Sequence, residues 1–136
     1  APRYPIDAVT AVDKRTALME AALTLPGAAL VPMPDNVVTR IRLGALTPEA
    51  VDFHCAGGCF LEYACKTLQP LAPLLGKKAQ TVAVLGLKPQ TVRDFVLARG
   101  VRGVDRVVPV GRTLDFSLVW DGFDLIATLS RRVTAE

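Results

Sequence analysis

Apolar and polar positions fall in short blocks along this chain, and the period of the blocks changes several times. Leu18, Ala21, Ala22 and Leu25 follow Asp13 at helical spacing. Asp13 can cap that predicted helix, because its carboxylate accepts from unpaired N–H groups of a first turn, and Pro26-Gly27 stops it. Ala28 to Val31 is a short apolar strand broken by Pro32-Met33-Pro34. From Val37 to Leu43 the period is two: Val37, Thr39, Ile41 and Leu43 share one face, with Arg40 and Arg42 on the other. Thr47-Pro48-Glu49 resembles a helix start with a brief apolar run behind it. His54 to Gly58 reads as a loop and Cys59 to Cys65 as a strand.

Thr67 can cap a helix with Leu68, Leu71, Leu74 and Leu75 on one side. Pro70 suits its first turn, but Pro73 costs about 3 kcal/mol in a helix interior, so a short or kinked helix is expected. Gln80 to Leu85 reads as a strand. Pro89 opens a helix with Val92, Phe95 and Val96 inward, and Gly100 stands where a C-terminal glycine belongs. Val107 to Val110 is the next strand. A last helix is expected from Asp121, burying Leu125, Ile126, Leu129 and Val133, with Asp124 in its acidic first turn and Arg131 and Arg132 in its last. The alternation of strand and helix from Cys59 onward predicts an α/β fold: one three-layer domain over residues 1–136 with a mainly parallel sheet.

Composition sharpens this picture. At 136 residues the chain suits one domain with a real core. Half of it is apolar (51%), and the mean hydropathy of +0.34 is high for a free-standing domain. Apolar runs stay shorter than the roughly 18 residues a membrane-spanning helix needs. The surplus is therefore expected to pack against another subunit or the rest of a longer polypeptide. The net charge of +3 comes from dispersed basic residues, Lys77-Lys78 and Arg131-Arg132 being the closest groupings. That excludes the basic stripe of a nucleic-acid binder. The first residues, Ala1-Pro2-Arg3-Tyr4-Pro5, have no apolar leader core, and three cysteines do not make a disulfide framework, so a cytoplasmic, reduced protein is expected.

The chemistry-bearing residues are few. His54, Cys55, Cys59 and Cys65 invite a zinc site, and the gap between Cys55 and Cys59 fits loosely, but a convincing fourth ligand is missing. Cys55 beside the only histidine is the alternative as a nucleophile, although neighbouring residues seldom face each other. Structural cysteines and no resident metal are the favoured reading. Glu62, on a strand, reads as solvent-facing rather than as a general base. The chain has no glycine-rich phosphate loop, no nucleophile elbow and no zinc-protease motif. Trp120-Asp121-Gly122 keeps two compatible readings. One is an aromatic anchor before a helix N-cap, for which Trp120→Ala costs about 3–5 kcal/mol. The other puts Phe116 and Trp120 on a loop beyond a strand's carboxyl end, where α/β ligand sites lie.

Several runs, in order, resemble the C-terminal end of the LuxC-type fatty acyl-CoA reductases of the aldehyde dehydrogenase superfamily. They are Val31-Pro32-Met33-Pro34-Asp35-Asn36-Val37, Cys59-Phe60-Leu61-Glu62-Tyr63, Gln80-Thr81-Val82, Gly103 to Gly111, and Trp120-Asp121-Gly122. The resemblance covers most of the chain. It implies reduction of a fatty acyl thioester to an aldehyde with NADPH, through a cysteine thioester. In that family the nucleophile and the dinucleotide-binding domain lie upstream of this segment, and none of the three cysteines here matches the nucleophile's motif. The resemblance therefore implies the C-terminal part of a catalytic domain, inactive alone, with NADPH bound mainly outside it. Leu114, Phe116 and Trp120 become candidates for the substrate channel. The implied partners are a fatty acyl-CoA or an acylated partner protein, the remainder of the reductase and a possible second copy of the chain. Two other readings stay open: a stand-alone interaction or assembly domain, and a cysteine-based metal or redox module.

Overall fold

The computed structural model describes residues 5–55 and 57–135. Internal contacts divide the chain into two compact units, Ala1–Pro70 and Leu71–Glu136.

The first unit opens with helix α1, Ala8–Thr24. Its cap is Asp7 rather than Asp13. The Asp7 carboxylate accepts from the Thr10 backbone N–H and from the Thr10 hydroxyl, both at 2.8 Å. Those two donors hold the Asp7 carboxyl below its usual range. Leu18 and Ala21 on α1, with Leu25 just beyond it, are buried against Ile41, Leu43 and Ala50. Strand β1, Ala29–Val31, runs antiparallel to β2, Thr39–Arg42, which runs parallel to β3, Cys59–Glu62. Helix α2, Pro48–Asp52, is a single short segment between β2 and β3. The expected alternation in β2 holds where it matters: Ile41 is buried and Arg42 exposed. Cys65 falls beyond the end of β3 instead of within it.

Arg40 grips Glu62 through two bonds, Nε to Oε1 at 2.5 Å and the second guanidinium nitrogen to Oε2 at 2.9 Å. Glu62 is thus an ion-pair partner on the strand face, not a bare solvent-facing carboxylate. The hydrogen bonds from Arg40 lower its pKa below the reference 4.5. A depressed carboxylate contributes stability above its unfolded pKa and loses it as pH falls through the folded value. Glu62→Gln is therefore expected to flatten part of the decline in stability below about pH 4.5 and to leave the shape of the profile at neutral pH unchanged. Chemical unfolding across pH 3–7 would reveal this, and parallel profiles for the two proteins would refute it.

Proline decides the next segment. Pro70 and Pro73 reduce the helix expected after Thr67 to one 3-10 turn, Gln69–Leu71.

The second unit contains a βαβ arrangement: β4, Thr81–Val84; α3, Pro89–Arg99; and β5, Arg106–Pro109. Strands β4 and β5 pair in parallel, Thr81 opposite Arg106 and Val84 opposite Pro109. Val92 and Val96 on α3 and Val84 on β4 are buried, and Gly100 closes α3 with a left-handed backbone. The last elements are β6, Val119–Trp120, β7, Phe123–Asp124, and helix α4, Leu125–Leu129.

Here the structure corrects the expected last helix. Asp121 and Gly122 both have positive φ, 48° and 80°, the signature of the two-residue turn that matches strand twist in a hairpin. Trp120 and Phe123 therefore pair across a tight antiparallel turn. The true cap is Asp124, whose Oδ1 accepts from the Ala127 N–H at 3.0 Å. Helix α4 is too short to include Arg131, and its supposed inner face is open: Leu129 is 82% exposed, and Val133 beyond it 97%.

Among the described residues the fold is a small α/β protein with short helices and three small sheets, not one mainly parallel sheet. Two strand pairings are parallel and two antiparallel. The connections explain it. A parallel crossover needs a dozen or more residues. Residues 32–38 between β1 and β2, and Asp121-Gly122 between β6 and β7, are too few for anything but antiparallel return. Among the described residues no helix is long and apolar enough to cross a membrane.

Candidate functional site

In the second unit the chain gathers aromatic and cationic groups around Trp120. The hairpin fixes Trp120 at the end of β6. Phe116, on the preceding loop, stacks on it with ring centroids 5.7 Å apart and planes 24° from parallel. Arg106, at the start of β5, lies with its guanidinium carbon 4.8 Å from the centre of the Trp120 ring. The same guanidinium donates to Thr113 O at 3.0 Å and Asp115 O at 2.8 Å. One arginine thus ties the 113–116 loop to the strand and holds the aromatic pair. Arg112 and Asp115 close that loop with an ion pair.

Trp120 borders a cleft of about 780 Å³ that is lined also by Lys77, Gln80, Arg102, Asp105 and Leu125. Its lining is mixed: aromatic and aliphatic groups together with cations and carboxylates. Of the three residues named from the sequence, Phe116 and Trp120 come together, and Phe116 remains 72% exposed. Leu114 points to solvent, 91% exposed, and does not line the cleft. Sequence reading missed Arg106, although the one cation between Val104 and Val110, at the head of the apolar run Val107 to Val110 and a short way before a phenylalanine and a tryptophan, is the signal for it.

Because Trp120 is only half-buried, the anchor estimate falls. An aromatic stack contributes about 0.5–1.5 kcal/mol and an exposed cation–π contact about 0.5–1 kcal/mol. Trp120→Ala is therefore expected to cost about 2 kcal/mol, read by urea unfolding followed by circular dichroism. A loss in the 3–5 kcal/mol range typical of a fully buried aromatic would contradict the stacked, half-exposed arrangement.

In the first unit the residue that stands out is Lys14, 2% exposed. An ammonium has three hydrogens, and Lys14 Nζ donates to Asn36 O at 2.7 Å, Val37 O at 3.0 Å and Gly57 O at 2.5 Å. With its donors used, it is a structural cation. It also borders a cavity of about 250 Å³ with Thr10, Asp13, His54 and Cys55. His54 Nδ1 lies 2.6 Å from Asp52 O. A carbonyl only accepts, so Nδ1 is the donor in this contact. The three cysteines are thiols. Burial and a hydrogen bond with Cys55 push the Cys59 thiol up to about 11, against a smaller pull from the Lys14 charge, so Cys59 is protonated at neutral pH. Cys65 is exposed. Among the described residues no group of three or more His, Cys, Asp or Glu is placed to hold a metal ion.

A dinucleotide would be expected at the turn from β4 into α3, where a doubly wound fold offers backbone N–H groups to a pyrophosphate. The residues there do not fit it. Pro89 stands in the first turn of α3 without an N–H, and Lys88 makes no side-chain cap bond. Leu85 and Leu87 of the same turn are exposed and apolar.

A scan against protein-family models, a search of the curated proteins and a search of the solved structures each gave no match to this chain.

Proposed function

We propose that this chain is the C-terminal part of the catalytic domain of an NADPH-dependent, cytoplasmic acyl-CoA reductase of the LuxC type. In this reading the nucleophilic cysteine and the NADPH site belong to residues outside this chain. The chain supplies an apolar wall: Phe116 and Trp120 take the fatty acyl group, and Arg106 holds the pair in place. The reading rests on the ordered sequence resemblance. The observation that supports it structurally is a braced aromatic stack with Phe116 left open, in a segment whose Leu114, Leu118 and Val119 are also exposed. An alkyl chain gains about 0.8 kcal/mol per buried methylene on such a surface.

The same reading extends to the sheet. Parallel strands are normally covered on both faces and joined by further strands. Strands β4 and β5 stand as a pair among the described residues. We assign them to a larger, mainly parallel sheet in a three-layer domain, completed by the remainder of the reductase.

Trp120 is the only tryptophan, so its emission reports the site directly. Palmitoyl-CoA, below its micellar concentration, is expected to shift that emission saturably, and coenzyme A alone is not. Phe116→Ala should weaken the effect about tenfold, the loss of one aromatic contact. The chain by itself should not oxidise NADPH in the presence of palmitoyl-CoA. Equal responses to coenzyme A and palmitoyl-CoA would end the acyl-wall reading. NADPH oxidation abolished by Cys55→Ala would end the claim that the nucleophile lies elsewhere. A chain that binds neither molecule would leave the interaction or assembly domain as the better account of its exposed apolar residues.

A further inference from the structure

We infer that the outer face of α1 docks a second copy of this chain, the two helices pairing in parallel about a two-fold axis. The inner face of α1, with Lys14, Leu18 and Ala21, is buried in the chain's own core. On the opposite side Val9, Val12, Met19 and Leu23 are each more than half exposed. A single exposed apolar residue needs no explanation, but four on one line of a helix do. A helix that packs on one side only keeps polar residues on the other. With Thr16, the four fall at successive spacings of three, four, three and four residues, the seam of a two-stranded coiled coil. Thr16 brings no loose polar group into that seam, because its hydroxyl donates to Val12 O at 3.2 Å.

Charge identifies the occupant. Arg15 lies along one edge of the seam and Asp13 and Glu20 along the other, and all three are exposed. In a parallel pair, a residue on the first edge meets the residue five positions later on the second edge of the partner. Arg15 then meets Glu20 of the second copy, and the two-fold axis makes that ion pair twice. An antiparallel pair sets each edge against its own kind, so Asp13 and Glu20 would face a second set of carboxylates. The pattern on one helix is thus complementary to itself in one direction only. Ala8 and Ala22, on the same edge as Arg15, are small enough to let the helices approach. At 17 residues α1 is about 25 Å long and offers five seam positions. That is less than a permanent dimer needs and fits a reversible one. The inner face already holds the helix folded, so pairing does not have to nucleate it. This inference stands apart from the reductase reading and uses no residue of the Trp120 site.

The test is sedimentation equilibrium of the whole chain at low salt, with thiols kept reduced, from about 1 to about 300 µM. The mass is expected to rise reversibly from 14.6 kDa towards twice that, with a Kd on the order of tens of micromolar. Met19→Lys should remove the rise and leave the circular dichroism unchanged, because the position is exposed. Leu23→Lys should do the same, and it serves if the first variant folds poorly. Arg15→Glu and Glu20→Arg should each weaken the dimer about tenfold, since each reversal acts at both symmetric pairs, and together they should restore it. A monomer at every concentration would overturn the inference and leave this face to the rest of a longer polypeptide. A dimer indifferent to both lysine variants would put the interface elsewhere and overturn it too. A dimer tightened by Glu20→Arg, or charge variants that do not rescue each other, would overturn the parallel pairing.

Discussion

Lys14→Met lowers the melting temperature by about 10 °C, a loss of about 2–4 kcal/mol. Methionine nearly matches the length and volume of lysine, so packing along α1 is kept and the change isolates the ammonium. What it removes is the donor to three backbone carbonyls, at Asn36, Val37 and Gly57. Each carbonyl left dry and unpaired costs about 1–3 kcal/mol. The opposing term is real: a buried ammonium carries a desolvation cost of several kcal/mol that its removal returns. Three charge-assisted bonds to backbone carbonyls outweigh it, because all three acceptors lose their Lys14 donor at once. The effect also reaches beyond α1, since two of the three carbonyls belong to the segment leading into β2 and the third to the turn into β3. Lys66→Met, at an exposed position, supplies the comparison and should change stability by no more than about 0.5 kcal/mol. If the two variants melt together, Lys14 is not what ties helix, turn and strands.

Lys14 also shows where sequence reading stops. Its spacing was available: Lys14, Leu18, Ala21 and Leu25 fall on one stripe of the helix, and the stripe is the buried face. A lysine there is naturally taken as the edge of the polar side. Its partners could not have corrected that, because they are main-chain carbonyls, and a carbonyl leaves no mark in a sequence. The elements from β4 to Gly100 were legible for the opposite reason. There the hydrophobic period, Pro89 at the first turn and Gly100 at the end all favour the same structure.

The hairpin at Trp120 failed for a definite cause. Asp-Gly can start a helix or turn a hairpin, and the choice depends on whether Asp121 takes a positive φ, which composition does not reveal. With Asp124 three residues on, the helix reading moved the cap by one motif and buried a face that is open. At α1 the same ambiguity lay between two aspartates, Asp7 and Asp13, and only the bonds to Thr10 decide it. For the candidate site, the stacking partners Phe116 and Trp120 were legible from type and spacing. The brace from Arg106 was not, because its hydrogen bonds again end on carbonyls, Thr113 O and Asp115 O.

Gly103→Ala is expected to cost about 4 kcal/mol, because an added Cβ there makes the closest approach of any described glycine. Two terms add. Gly103 has φ +120°, a conformation that costs an L-residue about 1–3 kcal/mol. A Cβ there would also overlap Gly76 O and meet Gly76 C and Lys77 Cα at 2.6 Å. All three are backbone atoms, so no side chain can swing aside, and the displacement adds about 1–3 kcal/mol. The neighbouring segment cannot retreat either. Gly76 O already accepts from Ala79 at 2.9 Å, and Gln80 O accepts from both Asp105 and Arg106, at 2.9 and 3.0 Å. Those bonds fix the turn before β4 to the start of β5, and Arg106 at that start holds Trp120. The variant should therefore change Trp120 emission in the folded state as well as unfold at lower urea. Two substitutions separate the terms. Gly111→Ala keeps a positive φ of +89° but opens into space, so it should cost only the conformational part, about 1–2 kcal/mol. Gly76→Ala meets nothing within 4 Å and should stay within about 0.5 kcal/mol of the parent. If Gly103→Ala cost no more than Gly111→Ala, the close approach of the two backbones would not be what fixes β5, and Arg106 would need another anchor.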